Sequence, residues 1–165
     1  MAGEVIKPNA FQKFLHRFFM IRSVTAFFAP GIHRMDRKLL ECTGGKHSLV
    51  EILGWPILEI TTIGAKTNQP RSLPLMGIVE DNKIALIASN FGRGRNPGWY
   101  YNLKSHPECD VLFNARTGKY LAREAGGDEY NYYWQMAVSY YAGYEKYRER
   151  AVPRRIPVIV LEPKK

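Results

Sequence analysis

Two cations on a tight turn between apolar stretches are the first candidates for chemistry. Lys66 and Arg71 lie in a segment that also contains Gly64, Asn68 and Pro70, and strand-like apolar residues precede and follow it. An arginine fork and a lysine point charge can together grip phosphate or carboxylate oxygens. The spacing is neither that of a P-loop nor that of a dinucleotide-binding turn. The segment predicts either a small anion site or a solvated basic hairpin.

A second segment, residues 88–100, is rich in glycine and arginine. It reads ASNFGRGRNPGWY, so the end of a predicted strand leads through a glycine-rich loop into a helix. The free N–H groups at the start of a helix attract anions and polar ring edges. The polar and cationic side chains of the loop are Ser89, Asn90, Arg93 and Arg95. This pattern is typical of a ligand-binding loop, with a flexible surface loop as the alternative.

Three tyrosines form the third candidate. Tyr141, Tyr144 and Tyr147 occupy positions i, i+3 and i+6 of a helix predicted over residues 128–149, and so share one face. Their rings could line a pocket with the hydroxyl groups directed inward. An ordinary packing face is the competing interpretation, because aromatic stripes usually belong to a core.

Residues for other chemistries lack the required spacing. The sequence contains no nucleophile motif, its carboxylates are scattered, and its histidines do not form a metal-binding pattern, so we expect no metal. The four histidines are His16, His33, His47 and His106. A redox enzyme is compatible with this pattern, because hydride transfer on a bound cofactor depends on orientation and electrostatics.

Composition narrows the class of protein. The 165 residues carry a net charge of +9 and are 45% hydrophobic, which predicts a globular chain. The charge permits nucleic acid, an anionic membrane surface or an acidic ligand as partner, without choosing among them. Cys42 and Cys109 lie far apart, so we expect reduced cysteines and a cytoplasmic location. Neither a secretory leader nor an apolar run long enough for a membrane span is apparent.

The elements that must position these candidates are short. Apolar alternation predicts strands over 55–63, 73–79, 84–88, 110–114, 119–124 and 156–161. Helices are predicted over 10–28, 32–40 and 128–149, with another that has Asn96 as its N-cap and ends before Pro107. Residues 116–118 are predicted to form the turn between the fourth and fifth strands. Strands joined by hairpins favour an α+β chain with an antiparallel sheet or small barrel.

The N-terminal region has a character of its own. We expect an amphipathic helix and lead-in over residues 1–30, followed by one domain over residues 31–165. The phenylalanine-rich, basic stretch 11–22 predicts either packing against that domain or a peripheral contact with a membrane surface.

Taken together, these segments resemble the deazaflavin-dependent nitroreductase family, whose members are related to FMN-binding flavoproteins. The similarity covers residues 32–163 and rests on TTIGAKTNQPRSLPL, ASNFGRGRNPGWYYNLKSHP, YYAGYEKYRERA and RRIPVIVLEP, in the family's order. It implies a split β-barrel of about six to seven mainly antiparallel strands with flanking helices.

The resemblance also implies a cofactor, coenzyme F(420), with FMN as the alternative. In the family, the first segment binds the phosphate and polyglutamate tail, and later residues meet the deazaflavin ring. The cofactor-binding residues implied here are Lys66, Thr67, Arg71, Pro74, Leu75, Met76, Ala88, Ser89, Asn90, Arg93, Arg95 and Trp99. The implied catalytic residues are Tyr144, Tyr141 and Tyr147, which line the family's substrate pocket, together with Ser89.

Four positions depart from the family pattern. Ala65 stands where a basic residue is frequent, and Asn90 where some members have lysine. Phe91 replaces the first of two glycines, and Met76 stands where the nitroreductase itself has a tyrosine. The missing cations loosen the predicted phosphate grip, for which Arg93 and Arg95 could compensate.

The function that follows is a reductase that transfers a hydride from reduced F(420) to an electron-poor acceptor, namely a quinone, an activated C=C bond or a nitro compound. The protein is then expected to be a monomer or homodimer, with no nucleic acid among its partners. The alternatives are a non-catalytic lipid-, fatty-acid- or cofactor-binding protein at a membrane surface, and an FMN-binding relative.

Overall fold

The computed structural model describes residues 56–164. The predicted helices over 10–28 and 32–40 and the predicted division between residues 1–30 and 31–165 lie outside or partly outside that range. Within it, six strands and three α-helices surround two apolar clusters.

The strands form a closed antiparallel barrel, as predicted. They are β1 Ile57–Ile63, β2 Pro70–Glu80, β3 Lys83–Ile87, β4 Glu108–Phe113, β5 Arg116–Glu124 and β6 Val158–Pro163. Their order around the barrel is β1-β2-β3-β6-β5-β4, with β4 paired to β1. Three neighbouring pairs, β1-β2, β2-β3 and β4-β5, are hairpins, whereas β6 lies between β3 and β5.

Alternation along the strands separates two apolar clusters. Inward-facing residues of β1, β3, β4 and β6 fill the barrel, and Trp99 and Leu103 of α1 (Gly98–Ser105) pack against them. These strand residues are Leu58, Ile60, Ile84, Leu86, Cys109, Val111, Ile159 and Leu161. The intervening residues of β3 and β6 face outward, under two further helices. Because β3 and β6 are buried on both faces, their sequences are continuous apolar runs.

The outer cluster is covered by α2 (Gly127–Tyr140) and α3 (Gly143–Ala151). Trp134 and Ala137 of α2 and Tyr144 and Tyr147 of α3 are buried there against the outward faces of β3 and β6. This packing holds the aromatic segment beside the barrel.

The single helix predicted over 128–149 is wrong: the helix is interrupted at Tyr141. Tyr141 is extended, with φ −147° and ψ 102°, and ends α2. Gly143 begins α3, and a Cβ there would lie 2.1 Å from Cζ of the Tyr141 ring. The glycine therefore permits the ring to fold back onto the backbone, and a helical periodicity argument cannot detect that contact.

Two smaller predictions also need correction. The turn between β4 and β5 is formed by Asn114 and Ala115, both with positive φ, whereas residues 116–118 belong to β5. The N-cap of α1 is Pro97 rather than Asn96. The Asn96 side chain instead accepts a hydrogen bond from a distant arginine, described below.

Candidate functional site

A cavity of about 1090 Å³ opens beside β2. Two loops contribute to its lining: the basic loop (residues 64–71) and the Gly/Arg loop (residues 88–97). The cavity brings together nearly all of the predicted site residues: Lys66, Thr67, Arg71, Pro74, Leu75, Met76, Ser89, Asn90, Arg93, Arg95, Trp99, Tyr141, Tyr144 and Tyr147. Ala88 is the exception, because it is fully buried behind the lining.

The basic loop is shaped mainly by its own backbone. The Gly64 carbonyl accepts hydrogen bonds from the N–H groups of Thr67 (3.2 Å) and Asn68 (2.8 Å), and the Gly64 N–H donates to the carbonyl of Gln69 (2.9 Å). The Arg71 guanidinium donates to the Thr67 hydroxyl at 3.4 Å. These local bonds explain why a short run of turn-forming residues is enough to specify the loop.

Asn102 of α1 ties the basic loop to the barrel, which the sequence did not indicate. Its Oδ1 accepts a hydrogen bond from the Ala65 N–H at 3.0 Å, and its Nδ2 donates to the Thr62 hydroxyl at 3.0 Å. Thr62 is fully buried, so this amide satisfies a polar group that would otherwise cost stability. The departure at Ala65 thus affects only the side chain, while the backbone at that position is held.

The cavity carries a strong positive charge. Its lining includes Lys66, Arg71, Arg93 and Arg95, and no aspartate or glutamate among the described residues. None of these four cations forms an ion pair with any residue in 56–164. Four uncompensated cations around one cavity attract a ligand with several negative charges.

The Gly/Arg loop has an unusual backbone. Asn90, Phe91 and Gly92 form a 3₁₀ turn in which all three have positive φ, at 47°, 57° and 74°. A Cβ at Gly92 would lie 2.8 Å from the carbonyl oxygen of Tyr147 and 2.9 Å from Cβ of Arg150. The loop therefore packs directly against the backbone of α3. Bulky residues rarely adopt positive φ, so the conformation at Phe91 must be held by its surroundings.

Arg154, in the segment between α3 and β6, supplies that restraint. Its guanidinium donates to the carbonyls of Ala88 (3.3 Å) and Ser89 (2.8 Å) and, twice, to that of Arg93 (3.0 and 2.9 Å). It also donates to Oδ1 of Asn96 at 2.6 Å. Burial lowers the pKa of this arginine relative to its ordinary value.

Aromatic side chains form another wall of the cavity. Although they belong to different elements, the rings of Tyr141, Tyr144 and Tyr147 lie within 5.8–6.0 Å of one another. The hydroxyls of Tyr141 and Tyr147 are 3.4 Å apart, and the Phe91 ring meets Tyr147 edge-on at 6.0 Å. The predicted grouping of the tyrosines is therefore present, with a helix break inside it.

Two of these tyrosines have raised pKa values. Burial raises the pKa of Tyr144 well above the ordinary value of 10, and Tyr147 adds a smaller effect in the same direction. Burial also raises the pKa of Tyr141, with further contributions from Tyr147 and Tyr144. Both hydroxyls stay protonated near neutral pH and can donate a hydrogen bond to a ligand oxygen.

Other kinds of site receive no support from the described part of the chain. No group of three or more His, Cys, Asp and Glu side chains in residues 56–164 could hold a metal ion. None of the helices described is long and apolar enough to cross a membrane.

Comparisons with known proteins all indicate the same family. A family model described as F(420)H(2)-dependent quinone reductase matches residues 32–163. The F(420)H(2)-dependent quinone reductase Rv1261c of Mycobacterium tuberculosis is 34% identical over 109 residues, which cover 64% of this chain and 72% of that protein. The putative F(420)H(2)-dependent quinone reductase Rv3178 of the same species is 29% identical over 109 residues, covering 66% and 91%.

Two solved structures are also similar. An F(420)H(2)-dependent reductase, FDR-A, has 37% sequence identity and a TM-score of 0.60, covering 65% of this chain and 94% of that one. A domain-swapped dimer has 34% identity and a TM-score of 0.62, covering 81% and 98%.

Proposed function

This chain belongs to the F(420)H(2)-dependent quinone reductase family, and we propose on that premise that it reduces a quinone. It is an oxidoreductase with coenzyme F(420) as its cofactor, and the family names this deazaflavin rather than FMN. The observation that carries the quinone proposal is one cavity that combines a wall of protonated tyrosines with four cations that form no ion pair within residues 56–164.

The residues present suit this cofactor. A phosphate with a polyglutamate tail needs several cations and no nearby carboxylates, which is the charge pattern of the described lining. A volume of about 1090 Å³ lies at the upper end of the range for ligand pockets, as an extended cofactor beside an acceptor requires. The apolar side chains of Pro74, Leu75 and Met76 offer a surface for a flat ring.

We assign the binding roles by charge and position. Lys66 and Arg71 hold the anionic tail, and Arg93 and Arg95 supply further positive charge from the opposite loop. When bound, the reduced deazaflavin supplies the hydride. The protein's part is to fix the relative positions of donor and acceptor and to keep the site apolar around them.

The tyrosines act on the acceptor in this proposal. A quinone that accepts a hydride develops negative charge on oxygen and then takes up a proton. A tyrosine hydroxyl can donate a hydrogen bond to that oxygen, and Tyr144, which is buried and lines the cavity, is our principal candidate. Tyr141 and Tyr147 orient the ring, and Ser89 lines the same cavity. The proton comes from a tyrosine hydroxyl or from water.

The test of the anion clamp is a titration with F(420). The double change Lys66→Ala, Arg71→Ala should raise the Kd for F(420) at least about tenfold, because it removes two charge-assisted contacts. The matched control is Arg116→Ala, Lys119→Ala, which removes the same charge from exposed positions of β5 outside the cavity. Equal affinities of the two double variants contradict the clamp.

The test of the acceptor role is turnover. Tyr144→Phe should lower kcat for quinone reduction about tenfold or more while leaving the Kd for F(420) unchanged. Tyr132→Phe, on the exposed side of α2, is the control for loss of a tyrosine hydroxyl. Failure of the unaltered protein to oxidise reduced F(420) with any quinone would overturn the proposed reaction.

Assembly and location remain proposals. One relative is a domain-swapped dimer, which supports a homodimer among the states expected, beside a monomer. The peripheral membrane contact predicted for residues 11–22 and the cytoplasmic location rest on the sequence. Co-sedimentation with anionic liposomes tests the contact, and equal pelleting with and without residues 1–30 rejects it.

A further inference from the structure

We propose that Arg154 is a positioning residue that directs a main-chain N–H group of the Gly/Arg loop into the cavity, where it donates to the polar ring edge of the deazaflavin. The donor is the N–H group of Asn90. This inference rests on the proposed function, since it assigns a part of the cofactor site to a residue that does not touch the cofactor.

The guanidinium of Arg154 is fully used within the protein. Its Nε and its two terminal nitrogens make five hydrogen bonds to four acceptors, all of them in residues 88–96. An arginine has five N–H donors, so none remains for a ligand. Any effect of Arg154 on binding must therefore act through the loop.

Because the peptide unit is planar, these bonds also fix the direction of the N–H groups that share a peptide plane with the bonded carbonyls. In a planar trans peptide the C=O of one residue and the N–H of the next point in opposite directions. The carbonyls of Ser89 and Arg93 point toward Arg154. The N–H groups of Asn90 and Gly94, which share those peptide planes, therefore point away from it.

Ser89, Asn90 and Arg93 line the cavity, whereas Gly94 and Arg154 do not. The Asn90 N–H, which points away from Arg154, therefore belongs to a residue of the cavity wall. Within residues 56–164 this N–H has no hydrogen-bond acceptor. An unpaired donor at a cavity wall is suited to the carbonyl oxygens along the edge of a flavin-like ring.

A neighbouring arginine provides a matched control. The guanidinium of Arg155 lies over the Tyr130 ring, 4.0 Å from its centroid. Arg155→Ala removes the same charge one residue away without touching the loop. Arg154→Lys keeps the charge but lacks the planar fork, so it should not reproduce the five bonds.

The experiment compares two ligands, F(420) and a deazaflavin riboside that lacks the phosphate and tail. Arg154→Ala and Arg154→Lys should each raise the Kd for both ligands about fivefold, as expected from loss of one ordinary hydrogen bond. Arg155→Ala should change neither. Lys66→Ala, Arg71→Ala should weaken binding of F(420) only, because the riboside has no tail to lose.

Nuclear magnetic resonance supplies a second readout, independent of turnover. Titration of the riboside into the ¹⁵N-labelled protein should move the Asn90 amide resonance, and Arg154→Lys should abolish this shift while the barrel resonances stay in place. Partial rescue of Arg154→Ala by added guanidinium ion would support the same assignment.

Two outcomes overturn the inference in different ways. If the unaltered protein binds the riboside, and folded Arg154 variants bind it with a Kd within about twofold of that value, Arg154 does not position a ring-binding N–H group. If the unaltered protein binds neither F(420) nor the riboside, the proposed cofactor site itself is wrong, and the inference falls with it.

Discussion

The two loops that line the cavity are built in different ways. The basic loop is closed by hydrogen bonds among its own residues, with one amide from Asn102 as an external tie. The Gly/Arg loop has three consecutive residues with positive φ and is held by Arg154, which lies 58 to 66 residues further along the chain. The conformation of the basic loop is thus fixed mainly by nearby residues, and that of the Gly/Arg loop by a residue distant in sequence. The same substitution should therefore affect the two loops differently.

The largest expected effect on stability comes from adding one methyl group, by a glycine-to-alanine change, to the Gly/Arg loop. Gly92→Ala should lower the free energy of unfolding by at least about 2 kcal/mol, because φ is +74° and the new Cβ would meet the backbone of Tyr147. Gly64→Ala, in the basic loop, should cost less than Gly92→Ala. The φ of Gly64 is not positive, and the atoms closest to a Cβ there, Thr67 Oγ1 at 2.5 Å and Arg71 Nε at 3.0 Å, belong to side chains that can rotate. Urea unfolding measures both.

The control for the first change is Gly94→Ala. Nothing lies within 4 Å of a Cβ at that position, and its φ is not positive, so stability should change by less than about 0.5 kcal/mol. Equal costs at Gly92 and Gly94 would contradict the close packing of the Gly/Arg loop on α3.

Removing the external tie of the basic loop should have a smaller effect. Asn102→Ala leaves the buried Thr62 hydroxyl without its amide partner, which should cost about 1–2 kcal/mol of stability. Asn131→Ala, at an exposed position of α2, controls for loss of an asparagine from a helix. If Asn102→Ala also disturbed the Gly/Arg loop, by amide resonances or affinity for a riboside, the two loops would not be independently held.

Acid should weaken the barrel through groups outside both loops. Arg123 binds Glu129 at 2.6 Å and Glu162 at 3.0 Å, and these hydrogen bonds lower the pKa of both glutamates. Their stabilisation is therefore present above the ordinary glutamate pKa of 4.5 and is lost as the pH falls through the lower folded-state values.

Thermal unfolding as a function of pH checks this expectation. Arg123→Gln should flatten the loss of stability in acid, whereas Lys104→Gln, which removes one cation of an exposed pair, should leave the slope unchanged. Neither loop contains an aspartate or glutamate. If changes in the loops removed the loss of stability in acid, its assignment to the ion pairs of Arg123 would be contradicted.

The smallest expected effect is on the rate at which Cys109 reacts with disulfide reagents, because this rate reports on local opening of the structure. Burial raises the pKa of the Cys109 thiol to about 12, so the thiol is neutral and shielded at neutral pH and should react slowly with disulfide reagents. Cys109 pairs in register with Thr62, the residue that Asn102 holds. In a Cys42→Ser background, Asn102→Ala should therefore accelerate labelling of Cys109, whereas Arg154→Lys should not.

Sequence patterns identified what is local. Apolar alternation predicted the six strands within a few residues, because each strand's faces are set by its own residues. The cations of both loops and the tyrosines were also predicted. The tie through Asn102 and the fork of Arg154 were not, because each joins residues more than 30 positions apart and neither leaves a local signature.

The helix break shows the same limit at shorter range. Tyrosines spaced at helical intervals favour one helix, but the Tyr141 ring packs where only Gly143 leaves room. Gly143 was visible as a possible breaker in the sequence. What periodicity could not supply was the tertiary contact that made the break favourable.

The insertion of β6 between β3 and β5 has a consequence for the order of assembly. Strands β1 to β5 can pair along the chain as they emerge during synthesis, but β3 and β5 keep open edges until β6 arrives to bridge them. Arg154 lies just before β6, so the Gly/Arg loop gains its restraint at that same late step. A chain whose last strand has not yet paired therefore lacks both a closed barrel and the restraint on the Gly/Arg loop.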